Sequence, residues 1–140
     1  IETEKKMIVA KNMDLTEEES EAFWPIYNEL ERDLREVTDK RIQLMKEPGE
    51  NFEAPTDEKA SELVKGYLEV QEQRAKVPQT YIKKFEKVLP GPKLARYYQS
   101  ENKLQTLIDF EIARQFPLVR GPRHSSKRRR AVTGHDPRHP

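Results

Sequence analysis

The sequence predicts an all-α protein: an elongated bundle or hairpin of three long, kinked helices preceded by one short helix. Three observations lead there. Apolar residues recur at i, i+3, i+4 and i+7 over several turns in three separate stretches. A helix-starting signal stands before each stretch. No segment alternates with period two, and β-branched residues are sparse. Composition agrees, since charged residues make up 36% of the chain and hydrophobic residues only 34%. That is little material for a compact core, but enough for thin helices that each bury one stripe. A second copy would add burial, so a homodimer is expected.

The first element is a short helix from Glu2 to Asn12, with Met7, Ile8 and Ala10 expected to pack on a neighbour and Asn12 as its stop. The next begins at Leu15-Thr16-Glu17-Glu18-Glu19. There Thr16 and Glu19 have the spacing of a capping box, and the acidic run suits the positive end of the helix dipole. Its stripe is Phe23, Ile26, Tyr27, Leu30, Leu34, Val37, Ile42 and Met45. Pro25 removes a donor within it, which predicts a kink.

Residues 46–55, rich in Pro, Gly and Asn, read as a loop, with Phe52 as an aromatic plug at the end of the bundle. Thr56 caps the third helix, whose stripe is Leu63, Tyr67, Val70, Val77, Tyr81, Phe85 and Val88, with a bend expected at Pro78. Leu89-Pro90-Gly91-Pro92 ends it, and Pro92 suits the first turn of the fourth helix. That last helix spans about 93–116 and presents Leu94, Tyr97, Tyr98, Glu101, Leu104, Leu107, Ile108 and Ile112, with Pro117 as its stop.

Residues 1–119 therefore read as one helical domain and 120–140 as a basic tail predicted to be disordered. Seven of the 26 Lys/Arg and one of the 25 Asp/Glu fall in the tail, leaving a body with 19 basic and 24 acidic side chains. Lys127-Arg128-Arg129-Arg130 admits two readings: an arm that binds nucleic acid by charge alone, or an extension without a selected role. No aromatic residue interleaves the basic run for base stacking.

This layout resembles the Spy/CpxP family of bacterial periplasmic proteins. Leu15-Thr16-Glu17-Glu18-Glu19 is similar to the family's LTxxQ motif, with Glu19 in place of Gln. Phe23-Trp24-Pro25-Ile26-Tyr27 resembles a sequence found after the motif in one branch. Val88-Leu89-Pro90, Lys93, Ala95-Arg96, Gln99 and Glu101-Asn102-Lys103 resemble that branch's second repeat region, and Phe116-Pro117-Leu118-Val119 its C-terminus. Glu19, the missing second LTxxQ, Pro78 and the tail depart from the pattern. The resemblance implies a cradle-shaped antiparallel dimer in the periplasm, its signal peptide removed. It also implies ATP-independent binding of unfolded or misfolded clients in the stress response. An envelope-stress sensor that inhibits a signalling partner would use the same fold. Leu15, Thr16, Glu19, Lys93, Arg96, Glu101 and Asn102 carry the motif.

The remaining chemistry is sparse. The chain has no Cys, and His124, His135 and His139 all lie in the tail, so the body lacks the usual nucleophile, base and soft metal ligands. It has no Gly-rich phosphate loop and no Glu-x-x-His pair for a di-iron bundle. No enzyme activity, cofactor, metal or small-molecule substrate is expected. Glu101, near an apolar stripe, reads as part of a solvated face or as the partner of a Lys or Arg from another helix. Trp24, Met45, Phe52, Tyr97 and Tyr98 are the candidate client- or partner-binding residues. Phe23 and Tyr27 share a core face, Trp24 is either packed or exposed, and Tyr97 and Tyr98 cannot both face the core.

Overall fold

The computed structural model describes residues 2–50 and 54–119, which form four helices. They are α1 (Glu2–Met13), α2 (Glu17–Glu50), α3 (Asp57–Val88) and α4 (Gly91–Gln115). At 34, 32 and 25 residues, α2, α3 and α4 are the three long helices, and the 12-residue α1 is the short one. The described residues contain no strand. Phe52 and the tail lie outside them.

The predicted caps form. The Thr16 amide donates to Glu19 Oε1 at 2.9 Å and the Glu19 amide to Thr16 Oγ1 at 3.1 Å, a complete capping box at the start of α2. At α3, the Lys59 amide donates to Thr56 Oγ1 at 3.2 Å. Leu89 leaves the helical conformation and α4 opens with Pro92 in its first turn, where a missing N–H costs nothing.

Contacts along the helices fix their directions. Tyr81 Oη donates to Asp33 Oδ2 at 2.5 Å, and Tyr67 Oη donates to the Leu44 carbonyl at 3.3 Å, so α3 runs antiparallel to α2. The rings of Tyr97 and Phe23 are 5.4 Å apart at one end and Arg41 Nη1 is 2.7 Å from Asp109 Oδ1 at the other, so α4 runs parallel to α2. The short α1 returns antiparallel to both, with Lys5 against Glu31 and Glu101, and Asn12 and Asp14 near Arg96 and Lys93.

Three expectations are corrected. In α1 the packed face is not Met7, Ile8 and Ala10, which are exposed, but Lys5, Val9 and Met13, one turn apart. The periodic signal was hidden because the first member of that stripe is a lysine, buried through its ion pairs. Met13, beyond the expected stop, is almost fully buried, and the helix ends at Asp14, which takes the left-handed φ of 48°. Residues 46–50, expected in a loop, continue α2. Pro48 has no N–H to offer the Leu44 carbonyl, and the Tyr67 hydroxyl supplies that donor from α3. In α4, Leu107 is 64% exposed instead of packed. Its stripe is Tyr97, Glu101, Leu104, Ile108 and Ile112, and Leu107 falls to one side of it.

The core lies where the end of α1, the start of α2, the end of α3 and the start of α4 meet. Phe23, Met13, Leu30 and Val9 are its most completely buried side chains. Phe23 is the hub of the aromatic packing. Its ring centroid lies 4.8 Å from Trp24, 5.7 Å from Tyr27 and 5.4 Å from both Phe85 and Tyr97. Burying a ring of this kind is worth about 1.5–3 kcal/mol, and offset or edge-on ring pairs add to it. Pro25 and Pro78 sit within α2 and α3, each of which runs as one helix.

Candidate functional site

Of the sequence-predicted motif residues, Thr16, Glu19, Lys93 and Arg96 gather at the junction of α1, α2 and α4. Lys93 Nζ lies 2.5 Å from Glu19 Oε1 and donates to the Asp14 carbonyl at 2.8 Å. Arg96 Nε donates to the Asn12 carbonyl. Two cations from α4 thus satisfy carbonyls at the C-terminal end of α1, where the helix dipole favours positive charge. The Lys93 ammonium, together with the Thr16 amide, holds the Glu19 carboxyl below the usual range. Leu15 packs against the core, half-buried. Asn102 is exposed, its carbonyl accepting from Thr106 Oγ1 at 2.9 Å, and it takes no part in the junction. Glu19, Lys93, Arg96 and Glu101 fasten helices together, whereas Thr16 caps α2 locally.

Glu101 has the inter-helical partner and not the solvated face. It is 6% exposed, and Lys5 Nζ lies 2.5 Å from its Oε1 and 2.7 Å from Glu31 Oε1. One cation therefore sits between two carboxylates on two helices. Burial, then the Glu101 charge, pushes the Glu31 carboxyl up to about 7, against the pull of Lys5. Sequence reading missed Lys5 and Glu31, since a lysine in an amphipathic helix and a glutamate in an acidic one carry no distinguishing signal.

The candidate client-binding residues divide. Tyr97 is buried in the aromatic core, so its assignment to a surface is corrected, whereas Tyr98 is exposed. Burial pushes the Tyr97 hydroxyl far above the usual phenol range. Trp24 is half-buried, edge-on to Phe23 and Tyr27, with Nε1 donating to Ser20 Oγ at 2.9 Å and the Lys6 ammonium 5.2 Å from its ring. Met45 is half-buried toward the far end of α2.

The surface available to a partner lies elsewhere. A cleft of about 470 Å³ opens between α2 and α4, beside Glu4, Lys5 and Ile8 of α1. Its walls are Leu34 and Ile42 of α2 and Leu104, Ile108 and Ile112 of α4. Ile8 and Leu107 stand at its edge, both exposed, with Phe110 and Met7 exposed on the same helices. Glu4, Asp39, Glu111 and Arg35 add a charged rim. Large apolar side chains in contact with water beside a concave, mainly apolar cleft are the usual signature of a binding surface.

Among the described residues, no group of three or more His, Cys, Asp or Glu is placed to hold a metal ion. No helix among them is long and apolar enough to cross a membrane. Compared with protein-family models, curated proteins and solved structures, the chain matches none of them.

Proposed function

We propose that this chain is a chaperone-like protein of the Spy/CpxP type that binds unfolded or misfolded clients in the periplasm, without ATP. The cleft between α2 and α4, with Ile8 and Leu107 at its edge, carries the reading. It offers apolar contact inside a charged rim, a combination suited to weak capture and spontaneous release. The motif residues at the start of α2 and α4 support the family resemblance through their placement at one junction. The reading includes a homodimer as the working unit. The test is a light-scattering assay with a chemically reduced or denatured client. Suppression of aggregation at stoichiometric ratios by the full chain, weakened by Leu107→Glu, is expected; no suppression would sink the reading.

A second reading, an envelope-stress sensor that inhibits a signalling partner, draws support from the seat of α1, where Lys5 pairs with Glu31 and Glu101 and burial pushes the Glu31 carboxyl up to about 7. Pull-down of one discrete membrane protein, with no holdase activity, would decide for it.

A further inference from the structure

The cleft continues the groove in which α1 lies. The short α1 lies antiparallel to α2 and α4 and seats Lys5, Val9 and Met13 at four-residue spacing against them. Past Glu4 the same two walls continue. Leu34 to Ile42 on α2 and Leu104 to Ile112 on α4 are each eight helical steps apart, about 12 Å at 1.5 Å per residue, which is the length of a two-turn helical seat. The walls are helix surfaces with no free backbone edge. An extended chain laid there would leave its own N–H and C=O groups unpaired by the protein, whereas a helix brings its backbone already satisfied. The charges continue as well. Glu31 receives the Lys5 ammonium, and Asp39, further along α2, lines the cleft. Glu4 and Glu111 add to the acidic side, against Arg35.

We propose that this cleft receives an amphipathic helix from a client, in line with α1 and antiparallel to α4, with apolar residues four apart and a Lys or Arg facing Asp39. The inference rests on the client-binding reading and names the class of segment bound. It differs from capture of extended chains, because the specificity is for helical spacing.

The experiment uses the full chain and three labelled synthetic peptides of identical composition, read by fluorescence anisotropy. The first carries Leu at four-residue spacing with flanking Lys in an Ala background, and one terminal Pro. The second carries the same residues with Leu at alternate positions. The third is the first with its terminal Pro and a central Ala exchanged, so that the helix is broken. The helical peptide should bind about tenfold or more tighter than the other two, a difference of about 1.4 kcal/mol. Leu107→Glu and Ile8→Glu, both at exposed positions, should each reduce its affinity by about tenfold without changing the circular dichroism spectrum. Asp39→Lys should weaken it in a salt-dependent way.

Equal affinity for all three peptides, to within about twofold, overturns the inference, as does indifference to Leu107→Glu. A dimer that buries this cleft and that Leu107→Glu dissolves also overturns it, the occupant then being a second copy. The aggregation assay separates the two levels. Client protection that persists without helix preference removes only this inference, while loss of both removes the client-binding reading too.

Discussion

The Lys5 ammonium lies 2.5 Å from the Glu101 carboxylate, tying α1 to α4 across 96 positions of sequence. Both groups are buried, and Glu31 from α2 shares the same cation. Removing the cation leaves two carboxylates in a seat built around it. Lys5→Met should therefore destabilise the protein by about 3–5 kcal/mol, the range found when one member of a buried ion pair is deleted. Replacing all three groups together with apolar residues of similar size should recover most of that loss. Urea unfolding of the single and triple variants measures both.

The same cluster sets a pH dependence. Glu31 is pushed up from the ordinary 4.5 to about 7, first by burial and next by the Glu101 charge. The folded state then binds a proton more tightly than the unfolded chain. The stability this contributes is complete below about 4.5 and is lost as pH rises through 7. Asp109 acts in the opposite sense. Burial raises it, but hydrogen bonds from Arg74 and Arg41 outweigh burial and hold it below the usual 3.8, so its contribution is lost as pH falls through that range. Stability should decline between pH 5 and 8 by on the order of 1–3 kcal/mol, and Glu31→Gln should flatten that decline while leaving the acid limb in place. Urea midpoints across pH 3–8.5 test it.

What the sequence made legible was local. Thr16 with Glu19, Thr56, and the Leu89-Pro90-Gly91-Pro92 break each announce a helix boundary through chemistry contained within a few residues. The stripes of α2 and α3 were readable because Phe23, Tyr27, Leu30 and Leu34, or Val70, Tyr81 and Phe85, bury apolar side chains at helical spacing. What escaped was long-range. Nothing local distinguishes Lys5 or Glu31 from a solvated residue, and only the return of α1 makes them buried partners. Pro48 reads as a helix breaker unless Tyr67 is known to reach the Leu44 carbonyl. Gly66 looks like a weak point of α3, yet a Cβ there would stand 3.0 Å from Leu44 Cδ2, so its bareness serves the close approach of α2. The cleft was illegible for the same reason, since it forms only where α2 and α4, far apart in sequence, come side by side.

Asp109 joins the three long helices at one point. Arg74 of α3 donates to both its oxygens, at 2.9 and 2.8 Å, and Arg41 of α2 to Oδ1 at 2.7 Å. The carboxylate is one-third exposed, so water screens part of the attraction. Asp109→Asn should cost about 1–2 kcal/mol, and Arg74→Lys less, although lysine cannot reproduce the two-pronged contact. A double-mutant cycle between positions 74 and 109, followed by urea unfolding, should return a coupling larger than that for the exposed pair Lys76 and Glu72.

Burial also orders the expected cost of truncating apolar residues. Phe23 has no exposed surface and touches four other rings, so Phe23→Ala removes the hub of the aromatic core. A loss of about 3–5 kcal/mol is expected from lost transfer energy and the cavity left behind. Leu104 is half-buried at the wall of the cleft, where water can enter the space vacated, and Leu104→Ala should cost less, about 1–2 kcal/mol. Leu107 is 64% exposed, and Leu107→Ala should change stability by no more than about 0.5 kcal/mol. Thermal or urea unfolding of the three variants gives the order directly. A Leu107→Ala cost as large as that of Leu104→Ala would place Leu107 in a buried contact, and the open edge of the cleft would then have to be abandoned.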